Sequence, residues 1–299
     1  MKAWQIPPKP ADFDAYWQAT LAELEATPAA AELAPLPLRS TDYADTFIVH
    51  LSSLGGYRLR GYLSVPHGEG PFPAEMQFPC YGSVNEIFRQ GDCVEKRSRA
   101  VILTFGHRGM RHCDVPYAAL YPGLLTDGIE EARRYRWRTI VADACRWLEF
   151  LLARPEVDAG RVVGFGFTEL PLLTAALRPG LRAVLTSCSL FHAALSRAAE
   201  TDRYDLEEYN DFLRLYPERR ADVARTLAYF EPAHFAERIA ADVFLWGDRE
   251  RLQPLTERFA GSVEVQPSEH SQYKDGLTRE RWLSERQGFA EPIVPERWR

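Results

Sequence analysis

Two hydrophobic periods alternate along this chain. Over residues 12–26, Phe13, Tyr16, Trp17, Leu21 and Leu24 recur at three- and four-residue spacing, which predicts a helix docked on a core. A Pro/Ala-rich connection follows at about 27–38. Residues 46–51 and 58–65 then read as two strands of an antiparallel hairpin joined at Gly55-Gly56. Short apolar runs at 74–78 and 100–105 read as strands separated by loop-like segments. The clearest helical stripe covers 137–153, with Ile140, Val141, Ala144, Leu148, Leu151 and Leu152 on one face. It stops before Pro155, and a strand follows at 162–165. Beyond it the pattern predicts helices at 172–177 and 255–259 and strands at 183–186, 243–246 and 263–265.

Residues 191–239 interrupt this alternation. They are aromatic, charged and helical in character, and read as an excursion over one end of a sheet. The last ~25 residues, about 275–299, are charged and weakly periodic and read as a peripheral tail. The whole pattern predicts an α/β fold with a mainly parallel central sheet and helices on both faces. One domain spanning 1–299 is expected, with an N-terminal helix and hairpin extension over about 10–66.

Composition narrows the partners. The chain is 46% hydrophobic and 26% charged, with a net charge of −6 and no basic block. That argues against nucleic acid or an acidic membrane surface as a partner. Met1 is followed by Lys2 and prolines rather than a signal-like apolar stretch, and no run approaches the ~20 apolar residues of a membrane span. The five cysteines (80, 93, 113, 145 and 188) form no CxxC pair and are odd in number, so a reducing, cytoplasmic setting is expected. No His, Cys or carboxylate spacing supports a metal site, and no cofactor is expected.

Chemistry-bearing residues gather where parallel strands end. The segment Val162-Val163-Gly164-Phe165-Gly166-Phe167-Thr168-Glu169-Leu170 resembles the Gly-x-Ser-x-Gly nucleophile elbow of α/β-hydrolases, with Thr168 in the middle position. After 74–78 comes Pro79-Cys80-Tyr81-Gly82-Ser83, whose backbone N–H groups could face an oxyanion. Asp248 and Glu250 follow the strand at 243–246, and Glu269-His270 follows 263–265. Nucleophile, acid, histidine is the chain order of an α/β-hydrolase triad. Each residue also has a plainer role. Thr168 is a good helix N-cap. His270 could simply stabilise its loop, and either acid could be only solvated. Cys80, with no identified base, reads as an inert thiol. Arg108, in His107-Arg108-Gly109, reads as an ion-pair partner or as a charge lent to the site.

Taken together, the chain resembles carbohydrate esterase family seven, the acetyl xylan esterases and cephalosporin C deacetylases. The entry Pro10–Trp17, the hairpin Gly56–Pro66, Tyr121-Pro122-Gly123 with Tyr135-Arg136 and Asp143-Ala144, and Pro155-Glu156-Val157-Asp158 with Arg161 carry the likeness. So do Thr226-Leu227-Ala228-Tyr229-Phe230 and His234–Ile239. The resemblance implies the α/β-hydrolase fold, a small acyl-ester substrate and a closed homo-oligomer. It assigns the histidine to His270, the acid to Asp248 or Glu250, and the oxyanion-loop tyrosine to Tyr81. The family's Gly-Gly-Ser-Gln-Gly-Gly reads Gly166-Phe167-Thr168-Glu169-Leu170-Pro171 here.

These substitutions predict slow chemistry. An elbow holds its nucleophile in a strained backbone conformation, and a threonine methyl crowds the approach of an acyl carbon. An ionised Glu169 beside the oxyanion site would oppose a negative intermediate. Loss of one oxyanion donor costs roughly 3–4 kcal/mol in hydrolases. The expectation is an acetyl esterase of low activity, or a silent member of the family that binds a ligand or partner.

Overall fold

A computed structural model describes residues 4–84, 87, 94–111 and 117–294. In chain order, α1 (Phe13–Glu25) leads to β1 (Glu32–Pro35), β2 (Ala44–Ser53) and β3 (Tyr57–Pro66). Next come β4 (Phe72–Gln77), α2 (Val94–Arg97), β5 (Val101–Phe105), α3 (Arg136–Leu152), β6 (Val157–Phe165), α4 (Leu170–Leu177) and β7 (Ala183–Ser187). The excursion holds α5 (Ala194–Ala198), α6 (Tyr204–Leu215) and α7 (Arg220–Ala228). After it the chain returns through β8 (Asp242–Trp246), α8 (Arg249–Thr256), β9 (Val263–Gln266) and α9 (Gln272–Arg286).

The strands form one sheet in the order β1-β2-β3-β5-β4-β6-β7-β8-β9. The pairs from β1 to β5 are antiparallel, and every pair from β5 to β9 is parallel. Alternate residues serve opposite faces, as the two-residue period of a strand requires. Val162, Val184, Val243 and Leu245 enter the main core with α1, α3 and α4. Val163, Ala183, Leu185 and Phe244 point the other way, onto Trp282 and Leu283 of α9. Both faces are covered, which is why these strands read as apolar runs rather than alternating ones.

On the α9 face a buried charge network ties the layers together. Lys96 Nζ lies 2.6 Å from a Glu75 oxygen and 2.5 Å from a Glu280 oxygen. Beside it, buried Arg97 donates to the Ser64 and Thr46 hydroxyls at 2.9 and 2.8 Å.

Three expectations are corrected. The connection at 27–38 contains β1, a four-residue edge strand too short and too exposed for a periodicity reading to find. The helix expected at 255–259 is α8, which starts six residues earlier because the Asp248 carboxylate caps it, accepting the Arg251 N–H at 2.9 Å. The stretch beginning at 275 is no tail up to Arg286, since α9 buries Trp282 and Leu283 in one turn while its remaining face is charged. Residues 295–299 of that expectation lie outside the described residues.

Candidate active site

Sheet order sets the ends of β4, β6, β7, β8 and β9 in one row. Because β4 pairs with β6, the segment after β4 abuts the turn after β6. The Phe78 N–H donates to the Phe165 carbonyl at 2.7 Å. A Cβ on Gly166 would come within 2.9 Å of Pro171 Cγ and 3.0 Å of Phe78 Cβ, so this close approach needs glycine.

The turn itself is fastened to the end of β7. The Thr186 hydroxyl donates to the Thr168 carbonyl at 2.5 Å, and the Ser187 and Ser189 hydroxyls donate to the Phe167 carbonyl at 2.6 and 3.0 Å. Thr168 is 3% exposed, and its Oγ1 accepts the Leu170 N–H at 3.3 Å, satisfying a donor at the start of α4. A strained nucleophile was expected there. Instead, the described non-glycine residues with positive φ are Ala30, Ala193 and His270, and Thr168 is not among them. Hydroxyl and capping bonds, rather than a left-handed residue at 168, shape this turn.

Glu169 is buried and faces backbone. Its Oε1 accepts the N–H groups of Leu190, Phe191 and His192 at 3.1, 2.8 and 2.9 Å, and Oε2 lies 2.9 Å from Leu190 N. A second buried carboxylate, Glu231, accepts the Ala193 N–H at 2.8 Å and lies 2.8 Å from His192 Nδ1. Four consecutive N–H groups, 190–193, therefore converge on two acids. Oriented amides of this kind compensate buried negative charge. The Glu231–His192 pair is not legible in the sequence because nothing in a helical excursion marks which acid folds back onto residues 192–193. Next to it, burial and the Glu169 charge push the Cys188 thiol well above its ordinary range, which leaves it a poor nucleophile.

Tyr81 lies one strand away, after β4. Its hydroxyl donates to Glu208 Oε1 and accepts the Leu125 N–H at 3.1 Å. Burial and the Glu208 carboxylate both raise the Tyr81 phenol, while burial raises Glu208. A Cβ on Gly123 would overlap the Glu208 carboxylate, so the Tyr121-Pro122-Gly123 motif makes the space for this bond. Arg108 grips Asp143 in a bidentate pair at 2.9 and 2.7 Å, donates to the Leu54 carbonyl at 3.1 Å and stacks on Tyr57. Tyr81, Glu169 and Arg108 are thus each engaged with other protein groups.

Asp248 and Glu250 are exposed at the end of β8, and His270 is exposed at the end of the neighbouring β9. His270 has φ 54°, a conformation histidine tolerates better than most residues. Its loop is held by Asp275, which accepts the Ser268 hydroxyl at 2.7 Å and the Glu269 N–H at 2.9 Å. Burial pushes the Asp275 carboxyl up, but these bonds and the nearby His270 hold it below its ordinary value. Among the described residues no hydrogen bond or ion pair joins the His270 ring to Asp248, Glu250 or Thr168. Thr168, Asp248, Glu250 and His270 thus lie beyond the carboxyl ends of β6, β8 and β9 without a hydrogen bond or ion pair from the histidine ring to the other three. Catalytic hydrogen bonds often tighten only when substrate is bound. No helix among the described residues is long and apolar enough to cross a membrane, and no group of three metal-ligating side chains occurs among them.

One curated relative and two solved structures similar to this chain carry esterase names. The chain is 26% identical over 261 residues to acetyl esterase Axe7A of Xylanibacter ruminicola. That match covers 83% of this chain, and the chain spans 58% of that relative's length. Acetyl xylan esterase 1 from Thermoanaerobacterium sp. JW/SL YS485 superposes with a TM-score of 0.82 at 21% identity, over 94% of this chain and 96% of its own. The acetyl xylan esterase from Paenibacillus sp. R4 gives 0.77 at 22% identity, over 94% and 97%. These two likenesses show the α/β-hydrolase fold. The family profile for acetyl xylan esterase (AXE1) matches residues 4–260, a span that includes Thr168, Asp248 and Glu250 and stops short of His270. With most of its length inside that profile, the chain belongs to the acetyl xylan esterase family.

Proposed function

We propose that this protein is a carboxylic-ester hydrolase of the acetyl-esterase type, acting on small acetylated substrates at low turnover. In this reading Thr168 attacks the acyl carbon, His270 takes its proton, and Asp248 or Glu250 orients the imidazole. The observation that carries the reading is the shared carboxyl end of the parallel strands. Thr168 after β6, the two acids after β8 and His270 after β9 stand in triad order in a chain of this family. Low turnover follows from the threonine methyl and from the capping bond that Oγ1 must release before it attacks.

A second reading, a catalytically silent fold that binds a ligand or partner, is favoured by one specific observation. Thr168 is buried in that capping bond on an unstrained turn, while the His270 ring is unpaired with either acid. Hydrolysis of p-nitrophenyl acetate by wild type, Thr168→Ala and His270→Ala separates the two. Activity lost in both variants supports the first reading; wild-type activity at the buffer rate supports the second.

We further infer a homo-oligomer located in the cytoplasm. The family resemblance and the exposed Leu120, Tyr121, Tyr204 and Leu215 support assembly. The free thiols of Cys145 and Cys188 support a reducing compartment, and Cys93 and Cys113 lie outside the described residues. Light scattering coupled to size exclusion tests the assembly.

A further inference from the structure

A cavity of about 350 Å³ opens between residues 5–8, ahead of α1, and the excursion. Pro8, Phe191, Ala224 and Leu227 give it apolar walls, and Ser196 and Arg220 stand among its lining residues. Arg220 is exposed and makes no hydrogen bond or ion pair among the described residues. Its place as the first residue of α7 is unfavourable for the helix, whose positive end repels a cation. The nearest acid of that turn, Asp222, is already paired with Arg219 and Arg225. Ser196 Oγ accepts the Gln5 N–H at 3.3 Å, while its own O–H has no protein acceptor among the described residues. Two unspent donors, one of them cationic, therefore flank an apolar cavity.

The floor of the cavity is rigid. Phe191 and Ala193 belong to the stretch whose N–H groups end on Glu169 and Glu231, and Ala193 is held at φ 47°, a conformation alanine disfavours. Strain retained by surrounding bonds is a mark of a functional position. A preformed wall also lowers the ordering cost of binding.

We propose that this cavity binds a small carboxylate with an apolar body. The body lies against Phe191, Pro8 and Leu227, and the carboxylate meets the Arg220 guanidinium and the Ser196 hydroxyl. A volume near the lower end of ligand pockets admits a body of roughly ten non-hydrogen atoms. The site is independent of Thr168, so its test needs no turnover.

The probe is phenylacetate, with phenylacetamide as its uncharged analogue, titrated calorimetrically and by saturation-transfer NMR into wild type, Arg220→Gln and Ala224→Trp. Wild type binds phenylacetate saturably and more tightly than phenylacetamide. Arg220→Gln weakens phenylacetate about tenfold and leaves phenylacetamide unchanged. Ala224→Trp, which fills the cavity, abolishes both. Absence of saturable phenylacetate binding to wild type overturns the proposal, as does binding that Arg220→Gln does not weaken. The Arg220→Gln arm decides the matter alone if the tryptophan variant fails to fold.

Discussion

Replacing Glu169 by alanine tests how the turn after β6 is held. The carboxylate accepts the N–H groups of Leu190, Phe191 and His192, and all of these bonds are buried. Alanine removes every acceptor at once and leaves three donors without partners. An orphaned buried donor costs about 1–3 kcal/mol, so the loss is about 3–6 kcal/mol after partial relaxation. For a chain of this size that lowers the melting temperature by about 6–12 °C. Glu169→Gln keeps one acceptor oxygen and falls between wild type and alanine. Equilibrium urea unfolding, read as a shift of midpoint at constant slope, is the assay. A Glu169→Ala midpoint equal to that of wild type refutes the reasoning, because the 190–192 amides would then not depend on this carboxylate.

Further predictions concern the opposite face of the sheet. Lys96→Met leaves Glu75 and Glu280 facing each other without the cation they share, Glu280 keeping Arg279 alone, and costs about 3–5 kcal/mol in urea unfolding at neutral pH. In wild type the Glu280 carboxyl is pushed up by burial but held below its ordinary value by Lys96 and Arg279, so its stabilisation is present above the unfolded carboxylate range and is lost as pH falls through the lower folded value. In Lys96→Met, Glu280 keeps only Arg279 as its cation, so the variant loses less stability than wild type as pH falls through that range. Trp282→Ala costs about 3–5 kcal/mol, since the ring packs on Phe244 and its Nε1 donates to Glu264 at 2.7 Å. A peripheral tail would lose less than about 1 kcal/mol in the same unfolding measurement.

Much of the fold was legible in the sequence. The parallel strands announced themselves as short apolar runs because both of their faces are buried, and α3 did so through a stripe facing the main core. β1 and α9 were not legible. β1 is a four-residue edge strand with three exposed positions, and α9 buries only a narrow stripe that a period count over charged residues does not pick out. At the site, triad order was readable because chain order and strand order agree from β6 to β9. The partners of Tyr81 and Glu169 were not. Glu208 comes from the excursion and the 190–192 amides from its start, and only folding brings them 127 and about 21–23 residues back to those side chains. The capping alternative for Thr168 was visible from residue type, and the Leu170 N–H bond gives it a geometry.

Whether residue 168 carries ester hydrolysis is decided by kcat/KM for p-nitrophenyl acetate in wild type, Thr168→Ala and Thr168→Ser, each checked for an unchanged unfolding midpoint. A measurable wild-type rate, a fall of about a hundredfold or more in Thr168→Ala and a rise above wild type in Thr168→Ser are the expected results. A Thr168→Ala variant as active as wild type would contradict the assignment of residue 168 as the nucleophile.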